Sequence, residues 1–268
     1  PVRIRAWLAA MNTSEGAGLI GRVDTQVLLG DRVRVIGLTS TWAHVVVPGQ
    51  ATPLDKRGYP VWIPRRQLSP VPPAAPAGAS VATITSRTAW LEDARGTRLA
   101  EASYGTSAPI LAQTPRMIEV ALPAGRTAWL LRDAVAVHPA GNPALPATIA
   151  ATIRDARRFV GLPYVWGGTS GFGVDCSGLV YLVFRAHGVT LPRDAEPQSL
   201  AGRSVAVGSQ QPGDLVFFER AAVVHHVAIW LGGGMILEAP SVGTFVRVAT
   251  LSALPYAHEL SIARRVLL

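Results

Sequence analysis

The sequence predicts an α+β protein, with short strands in its first half and a helix and a β-hairpin in its second half. In the first half, apolar residues alternate with period two, as in residues 31–36, which is typical of short strands. After residue 176, apolar residues recur at helical spacing. Residues 223–239 combine two apolar runs around three consecutive glycines, which predicts a hairpin.

Two proline- and alanine-rich stretches, residues 69–76 and 139–146, have the composition of semi-rigid linkers. We therefore predict three domains, at residues 1–70, 77–140 and 147–268.

The first two predicted domains are weak repeats of each other. Residues 44–48 resemble residues 119–123, and residues 61–65 resemble residues 128–132. Both domains resemble the small β-barrels of bacterial SH3-type (SH3b-like) domains. The spacing between the matched segments is eight residues longer in the first barrel, so that barrel carries an insertion, which includes Tyr59.

Cys176 is the only cysteine, and it lies at the first turn of a predicted helix. The helix is indicated by apolar residues at positions 179, 180, 183 and 184, and it ends near Gly188, a residue suited to a C-cap. The unpaired backbone N–H groups of a helix N-terminus favour a thiolate. The position therefore indicates a nucleophile, with a small buried apolar residue as the alternative.

A thiol nucleophile needs an imidazole base and a third group that orients the imidazole. His226 lies on the first strand of the predicted hairpin and Glu238 on the second. In either of two plausible registers, directly opposite or diagonal, Glu238 can reach His226. His225 points to the other face of its strand, which favours a structural role. A solvated Glu238 on a surface edge strand is the alternative.

Four segments in the last part of the chain follow one another in a specific order. They are residues 161–168 (Gly-Leu-Pro-Tyr-Val-Trp-Gly-Gly), 175–180 (Asp-Cys-Ser-Gly-Leu-Val), 211–218 and 226–229. This series resembles the NlpC/P60 family of papain-like peptidases, which cut peptidoglycan stem peptides. The resemblance covers about residues 147–268 and implies helices packed on an antiparallel sheet. It matches Cys176 to the family nucleophile and His226 to the general base.

The resemblance also implies roles around the reacting groups. The third family position, often a histidine, is Glu238 here, and a carboxylate can accept the imidazole N–H. Tyr164 matches a family tyrosine near the nucleophile, which would form an oxyanion hole together with the Cys176 N–H. The alternative for Tyr164 is a packing aromatic in a turn.

Three further residues are candidates for substrate binding. Asp175 and Ser177 match positions that contact the amine end of the substrate in members requiring a free N-terminus, although Asp175 equally suits a helix N-cap. Tyr59 would close one end of the cleft, or else pack on its own barrel. Ala195 stands where the family often has a serine, so one polar substrate contact is missing.

Composition and charge give only limited information about which classes of partner the protein binds. The net charge of +8 favours acidic polymers, but the basic residues are scattered and do not interleave with aromatics along a helix, which argues against nucleic acid. The six histidines lack metal-ligand spacing, so we expect no metal and no cofactor. One cysteine excludes an intramolecular disulfide. No transmembrane segment is predicted, and a monomer is expected.

The leading hypothesis is a cysteine peptidase that cleaves the γ-D-glutamyl–diamino acid bond of stem peptides or muropeptides through a thioester. A papain-like amidase or acyltransferase, or a wall-binding protein without catalysis, are the alternatives. Because the chain begins at Pro1 without a methionine, a removed leader is plausible. We expect a secreted or cell-envelope location, with cytoplasmic muropeptide recycling as the alternative.

Overall fold

A computed structural model describes residues 4–10 and 13–267 of the chain. The described residues form two compact units. The first contains residues 27–49 and 54–144, and the second contains the described residues up to Gln26, residues 50–53 and the chain from Leu145 onward. The predicted α+β class is confirmed. None of the helices in the described ranges is long and apolar enough to cross a membrane.

The first unit consists of two antiparallel sheets. The smaller sheet has three strands, β1 (Arg34–Leu38), β2 (Trp42–Val47) and β3 (Tyr59–Pro64). Its apolar core face consists of every second residue of β2 and β3, as period two predicts. These residues are Ala43, Val45, Val47, Tyr59, Val61 and Ile63.

The larger sheet has seven strands in the order β10-β4-β7-β8-β9-β5-β6. They are β4 (Val81–Ile84), β5 (Thr88–Glu92), β6 (Arg98–Ser103), β7 (Ser107–Gln113), β8 (Met117–Leu122), β9 (Arg126–Leu131) and β10 (Val135–His138). The predicted repeat segments fall on the neighbouring pairs β2–β3 and β8–β9. The domain boundaries at residues 70 and 77 stay a prediction, because both sheets belong to one compact unit.

The second unit packs helices against one antiparallel sheet. Its helices are α1 (Ile4–Ala10), α2 (Thr13–Ala17), α3 (Ile149–Arg157), α4 (Cys176–Ala186) and α5 (Ala195–Gln198). The sheet has six strands in the order β13-β18-β14-β15-β16-β17, and α4 and α5 lie against β15. Its strands, with the two-stranded β11–β12 pair, are β11 (Thr169–Ser170), β12 (Gly173–Val174), β13 (Arg203–Val205), β14 (Leu215–Arg220), β15 (Val223–Gly232), β16 (Met235–Glu238), β17 (Arg247–Thr250) and β18 (Leu260–Arg265).

Two short segments from early in the chain complete this second unit. The Thr25 hydroxyl donates to Gln50 Oε1 at 2.8 Å, and Gln50 Nε2 donates to the carbonyl of Gln26 at 2.6 Å. Gln26 Oε1 in turn accepts a hydrogen bond from the backbone of Thr169 at 3.0 Å. Part of the insertion predicted in the first barrel, residues 50–53, therefore belongs to the second unit.

The β14–β15 hairpin contains a strained turn. Its two central residues, Ala221 and Ala222, have φ values of 51° and 63°. Positive φ at both positions is the geometry of a type I′ turn, which glycine and asparagine adopt readily and alanine does not.

We expect the double substitution Ala221→Asn and Ala222→Gly to relieve this strain. Relief of about 1 kcal/mol should raise the thermal midpoint of unfolding by about 2–4 °C, as measured by calorimetry. Ala201→Gly is the matched control, because Ala201 is outside the set of residues with positive φ and should lose stability on substitution. A lower midpoint for the double variant would contradict the assignment of strain to this turn.

Candidate active site

Helix α4 begins at Cys176, directly after the N-cap residue Asp175. Asp175 Oδ1 accepts a hydrogen bond from the backbone N–H of Gly178 at 2.6 Å, as an N-cap side chain does. Gly178 has to be glycine, because a Cβ atom there would overlap the carbonyl oxygen of Gly168. The Asp-Cys-Ser-Gly segment therefore packs tightly on residue 168 and holds a partly exposed Cys176 at the first turn of the helix.

A buried arginine completes the surroundings of Asp175. Arg193 is 1% exposed, and its Nη1 and Nη2 donate to the two Asp175 oxygens at 3.1 and 2.7 Å. Arg193 Nε also donates to the Thr25 hydroxyl at 2.9 Å. Since Asp175 Oδ2 further accepts from the Gly167 N–H, both carboxylate oxygens are engaged within the protein. The N-cap role weighed for Asp175 is what the structure shows, and its contact with substrate stays a prediction.

His226 lies on β15, and Glu238 lies on β16. The pairing of Ile229 with Leu237 sets the diagonal one of the two predicted registers. His226 Nε2 and Glu238 Oε2 are 2.8 Å apart. An ionised carboxylate only accepts hydrogen bonds, so Nε2 carries a proton and Nδ1 is left as the ring nitrogen for Cys176.

The surroundings of His226 favour its protonated form. Burial by itself lowers the pKa of His226, but hydrogen bonds with Cys176 and Glu238 and the charges of both outweigh burial and raise this pKa to about 9. The ordinary value is about 6.5. The raised pKa favours the imidazolium form of the ring at neutral pH, between Cys176 and Glu238.

Glu238 is 0% exposed, and each of its oxygens has a partner. Oε2 also accepts from the Tyr256 hydroxyl at 2.6 Å, and Oε1 accepts from Arg247 Nε at 2.9 Å. Burial by itself raises the pKa of Glu238, but the hydrogen bonds from His226 and Tyr256 and the imidazolium charge, with Arg247, lower it overall. A solvated Glu238, the alternative considered from the sequence, is therefore excluded.

Tyr164 keeps its proton in this site. Burial raises its pKa above the usual range, and the neighbouring Cys176 and Asp175 charges raise it further. Its backbone is held by a hydrogen bond to the Thr244 carbonyl at 2.9 Å and by a bridge to Val174. A neutral phenol near Cys176 can donate a hydrogen bond to a substrate oxyanion, and this role stays a prediction.

The remaining predicted residues have internal partners. The Ser177 hydroxyl accepts from Arg193 Nη1 at 2.9 Å and donates to Asp175 Oδ1 at 3.3 Å. Tyr59 lies in the buried face of the three-stranded sheet. Contacts of Ser177 and Tyr59 with substrate stay predictions. His225 Nε2 lies 2.7 Å from Glu259 Oε2, as expected of a structural residue.

Sequence reasoning missed Arg193, Arg247 and Tyr256. Arginine is usually exposed, so nothing in its local pattern marks Arg193 as buried. The signal for Arg247 lies in strand pairing, because Arg247 is directly opposite Glu238 on β17. Within the described ranges, no group of three or more His, Cys, Asp or Glu residues is placed to bind a metal ion.

Comparison with known families gives two matches. The sequence model of the NlpC/P60 family matches residues 161–265, which include Cys176, His226 and Glu238. The model described as YKFC SH3b2 domain matches residues 84–138, within the seven-stranded sheet.

Similar proteins match over nearly the whole of this chain. A γ-D-glutamyl-L-lysine dipeptidyl-peptidase of Bacillus subtilis is 36% identical over 98% of this chain and 88% of its own length. The protein of the same name from Bacillus cereus is 34% identical over 100% of this chain and 83% of its own length. A crystal structure of an NlpC/P60 family protein from Bacillus cereus has a TM-score of 0.93 at 34% identity, covering 100% of this chain and 90% of that one.

Cys176→Ala should abolish hydrolysis of a stem peptide and leave the fold intact, because it removes only the sulfur. Product formation by mass spectrometry and the thermal midpoint of unfolding are the two measurements. Turnover equal to that of the wild type would end the assignment of Cys176 as nucleophile.

Glu238→Gln should lower kcat by roughly tenfold or more, as loss of an imidazole-orienting carboxylate does. It should also lower the pKa of His226 from about 9, because the carboxylate charge and hydrogen bond raise that pKa. The imidazolium is then lost at lower pH, so the alkaline limb of the pH–rate profile shifts to lower pH. Glu219→Gln, on β14 of the same sheet, is the control. An unchanged alkaline limb would show that another residue sets the pKa of His226.

Proposed function

The chain belongs to the NlpC/P60 family of cysteine peptidases, and we propose that it cleaves the bond between D-glutamate and the following diamino acid in peptidoglycan stem peptides. One observation carries the proposal: the buried His226 ring lies between Cys176 and the ionised Glu238. The bond preference is supported by the names of relatives that align over nearly the whole chain.

Acylation uses the thiolate of Cys176. Its sulfur attacks the carbonyl carbon of the D-glutamyl side chain, and the carbonyl oxygen becomes an oxyanion. The Tyr164 hydroxyl and the Cys176 N–H donate hydrogen bonds to this oxyanion, a contribution of about 2.7–4 kcal/mol per donor in other enzymes. The His226 imidazolium then gives its Nδ1 proton to the leaving amine, and a thioester remains on Cys176.

Deacylation reverses the role of His226. The neutral imidazole takes a proton from water through Nδ1, and the resulting hydroxide attacks the thioester carbonyl. Collapse of the second tetrahedral intermediate expels the thiolate and frees the carboxylic acid product. Glu238 keeps the Nε2 proton in place through both steps, because its carboxylate accepts the hydrogen bond from Nε2.

We further propose that the enzyme acts on soluble stem peptides with a free amino terminus. The dipeptidyl-peptidase names of the relatives support this preference. Both oxygens of Asp175 already accept hydrogen bonds from Arg193 and from backbone N–H groups. A substrate ammonium would therefore share Asp175 with Arg193, and the carboxylate alone does not account for the preference.

The proposal also covers the setting in which the enzyme works. We infer a monomer that does not bind nucleic acid and is located outside the cytoplasmic membrane or in the cell envelope. The net charge of +8 supports contact with anionic wall polymers. Cytoplasmic recycling of muropeptides is the alternative, and fractionation of cells expressing the natural gene would decide between them.

The test is digestion of L-Ala-γ-D-Glu stem peptides that continue with either L-lysine or meso-diaminopimelate. A peptide with an unmodified L-Ala should be cut at the D-glutamyl bond, and its N-acetylated form should be cut tenfold to a hundredfold more slowly. Acetylation removes an ammonium whose charge-assisted hydrogen bond is worth about 1.5–3 kcal/mol. Intact sacculi should also be poor substrates, because the amino end of each stem peptide is amidated to the glycan.

Mass spectrometry of the products identifies both the bond and the reaction. Equal cleavage of free and N-acetylated peptides would contradict the amine requirement and leave an endopeptidase. Transfer of the acyl group to an added amine in preference to water would instead indicate an acyltransferase.

A further inference from the structure

The two oxygens of the Glu238 carboxylate have different partners. Arg247 contacts only Oε1, through Nε and Nη2, both at 2.9 Å. Oε2 is shared by His226 Nε2 at 2.8 Å and the Tyr256 hydroxyl at 2.6 Å. We propose that Arg247 and Tyr256 are positioning residues, which fix Glu238 so that one oxygen always faces His226. This inference rests on the proposed peptidase function.

Charge is the first reason why Glu238 needs Arg247. Burial favours the protonated form of a carboxylate, and Arg247 supplies a second cation beside Glu238 in addition to the His226 imidazolium. A protonated Glu238 would no longer stabilise that imidazolium. Arg247 lies directly opposite Glu238 in the β16–β17 pairing, and its guanidinium contacts one oxygen of the carboxylate. In the reactive state Cys176, His226, Glu238 and Arg247 carry alternating negative and positive charges, which sum to zero.

Geometry is the second reason, and here Tyr256 contributes. Its ring meets the His226 ring edge-on, with centroids 5.6 Å apart and planes at 76°. It also meets the buried Phe218 ring edge-on, with centroids 5.2 Å apart. Packed against both rings, the phenol can aim its hydroxyl only within a narrow range. The hydroxyl thus occupies the second lone pair of Oε2 and limits rotation of the carboxylate.

Both residues can be changed without emptying the core. The Arg247 side chain is 45% exposed, so Gln or Lys can replace it at the surface. Tyr256→Phe keeps the ring and its contacts with His226 and Phe218 and removes only the hydroxyl. Suitable controls are Arg203→Gln, at the opposite edge of the same sheet, and Tyr104→Phe, which removes a buried hydroxyl in the first unit.

The first measurement is steady-state cleavage of the L-Ala-γ-D-Glu-L-Lys peptide by the full chain. Tyr256→Phe and Arg247→Gln should each lower kcat by about fivefold to tenfold, change KM by less than twofold and leave the thermal midpoint nearly unchanged. Arg247→Lys should have a higher kcat than Arg247→Gln, because Lys keeps the positive charge. Its kcat should stay below that of the wild type, because Lys lacks the paired N–H groups of the guanidinium. In a Glu238→Gln background, both substitutions should change kcat by less than twofold, because their effect acts through the carboxylate.

The second measurement does not depend on the substrate. Alkylation of Cys176 by iodoacetamide at pH 6 reports the thiolate, which the imidazolium stabilises. Glu238→Gln should slow alkylation most, Tyr256→Phe and Arg247→Gln should slow it several-fold, and the two control variants should match the wild type.

The outcomes separate the two proposals. Failure of the wild type to cut the peptide, with variant alkylation rates in the expected order, would overturn the proposed substrate and support the positioning roles. Alkylation by Tyr256→Phe and Arg247→Gln at or above the wild-type rate would overturn the positioning roles. The positioning roles would also be overturned if the kcat losses of Tyr256→Phe and Arg247→Gln added to the loss caused by Glu238→Gln. Additive losses indicate action through a route other than Glu238.

Discussion

The buried ion pair between Asp175 and Arg193 determines where the candidate nucleophile lies. Arg193 is almost completely enclosed, and an unpaired guanidinium there would be strongly unfavourable. Asp175 forms an ion pair with that guanidinium and at the same time caps helix α4, whose first residue is Cys176. Displacing Arg193 would leave the Asp175 carboxylate without its cation, and displacing Asp175 would leave a buried guanidinium and an uncapped helix end. The position of the thiol is therefore set by an interaction that does not include the thiol.

On the far side of Cys176, neighbouring strands supply charges of alternating sign. His226, Glu238 and Arg247 lie on β15, β16 and β17, which are consecutive in the sheet. Each of these charges lies beside a charge of opposite sign on the neighbouring strand, in an interior where electrostatic interactions are less screened than in water. Within this network each buried polar group has a hydrogen-bond partner, which offsets the cost of its burial. Antiparallel pairing is what brings these side chains from separate strands into contact.

Local patterns in the sequence were sufficient to predict the fold class and one contact of the candidate site. Helical periodicity after Cys176 and the glycine turn between His226 and Glu238 are short-range signals, and they led to the α+β class and to the contact between His226 and Glu238. The residues that support these groups depend on longer-range packing. Arg247 meets Glu238 only because residues 239–246 return the chain in one register, and the turn at Ser241–Thr244 within this eight-residue loop does not by itself specify that register. The burial of Arg193 depends on Thr25 and Ala51, which are too distant in sequence for any local pattern to reveal.

The contribution of Thr25 and Gln26 to the second unit has a consequence for the order in which the chain folds during synthesis. Thr25 and Arg193 are 168 residues apart, and Gln26 and Thr169 are 143 residues apart. During synthesis Thr25 and Gln26 therefore leave the ribosome long before Arg193 and Thr169 have been added to the chain. Contacts of such long sequence separation form slowly, since a large loop must close first. Thr25 and Gln26 are thus among the last residues to reach their final partners, and the surroundings of Cys176 stay incomplete until synthesis has passed His226.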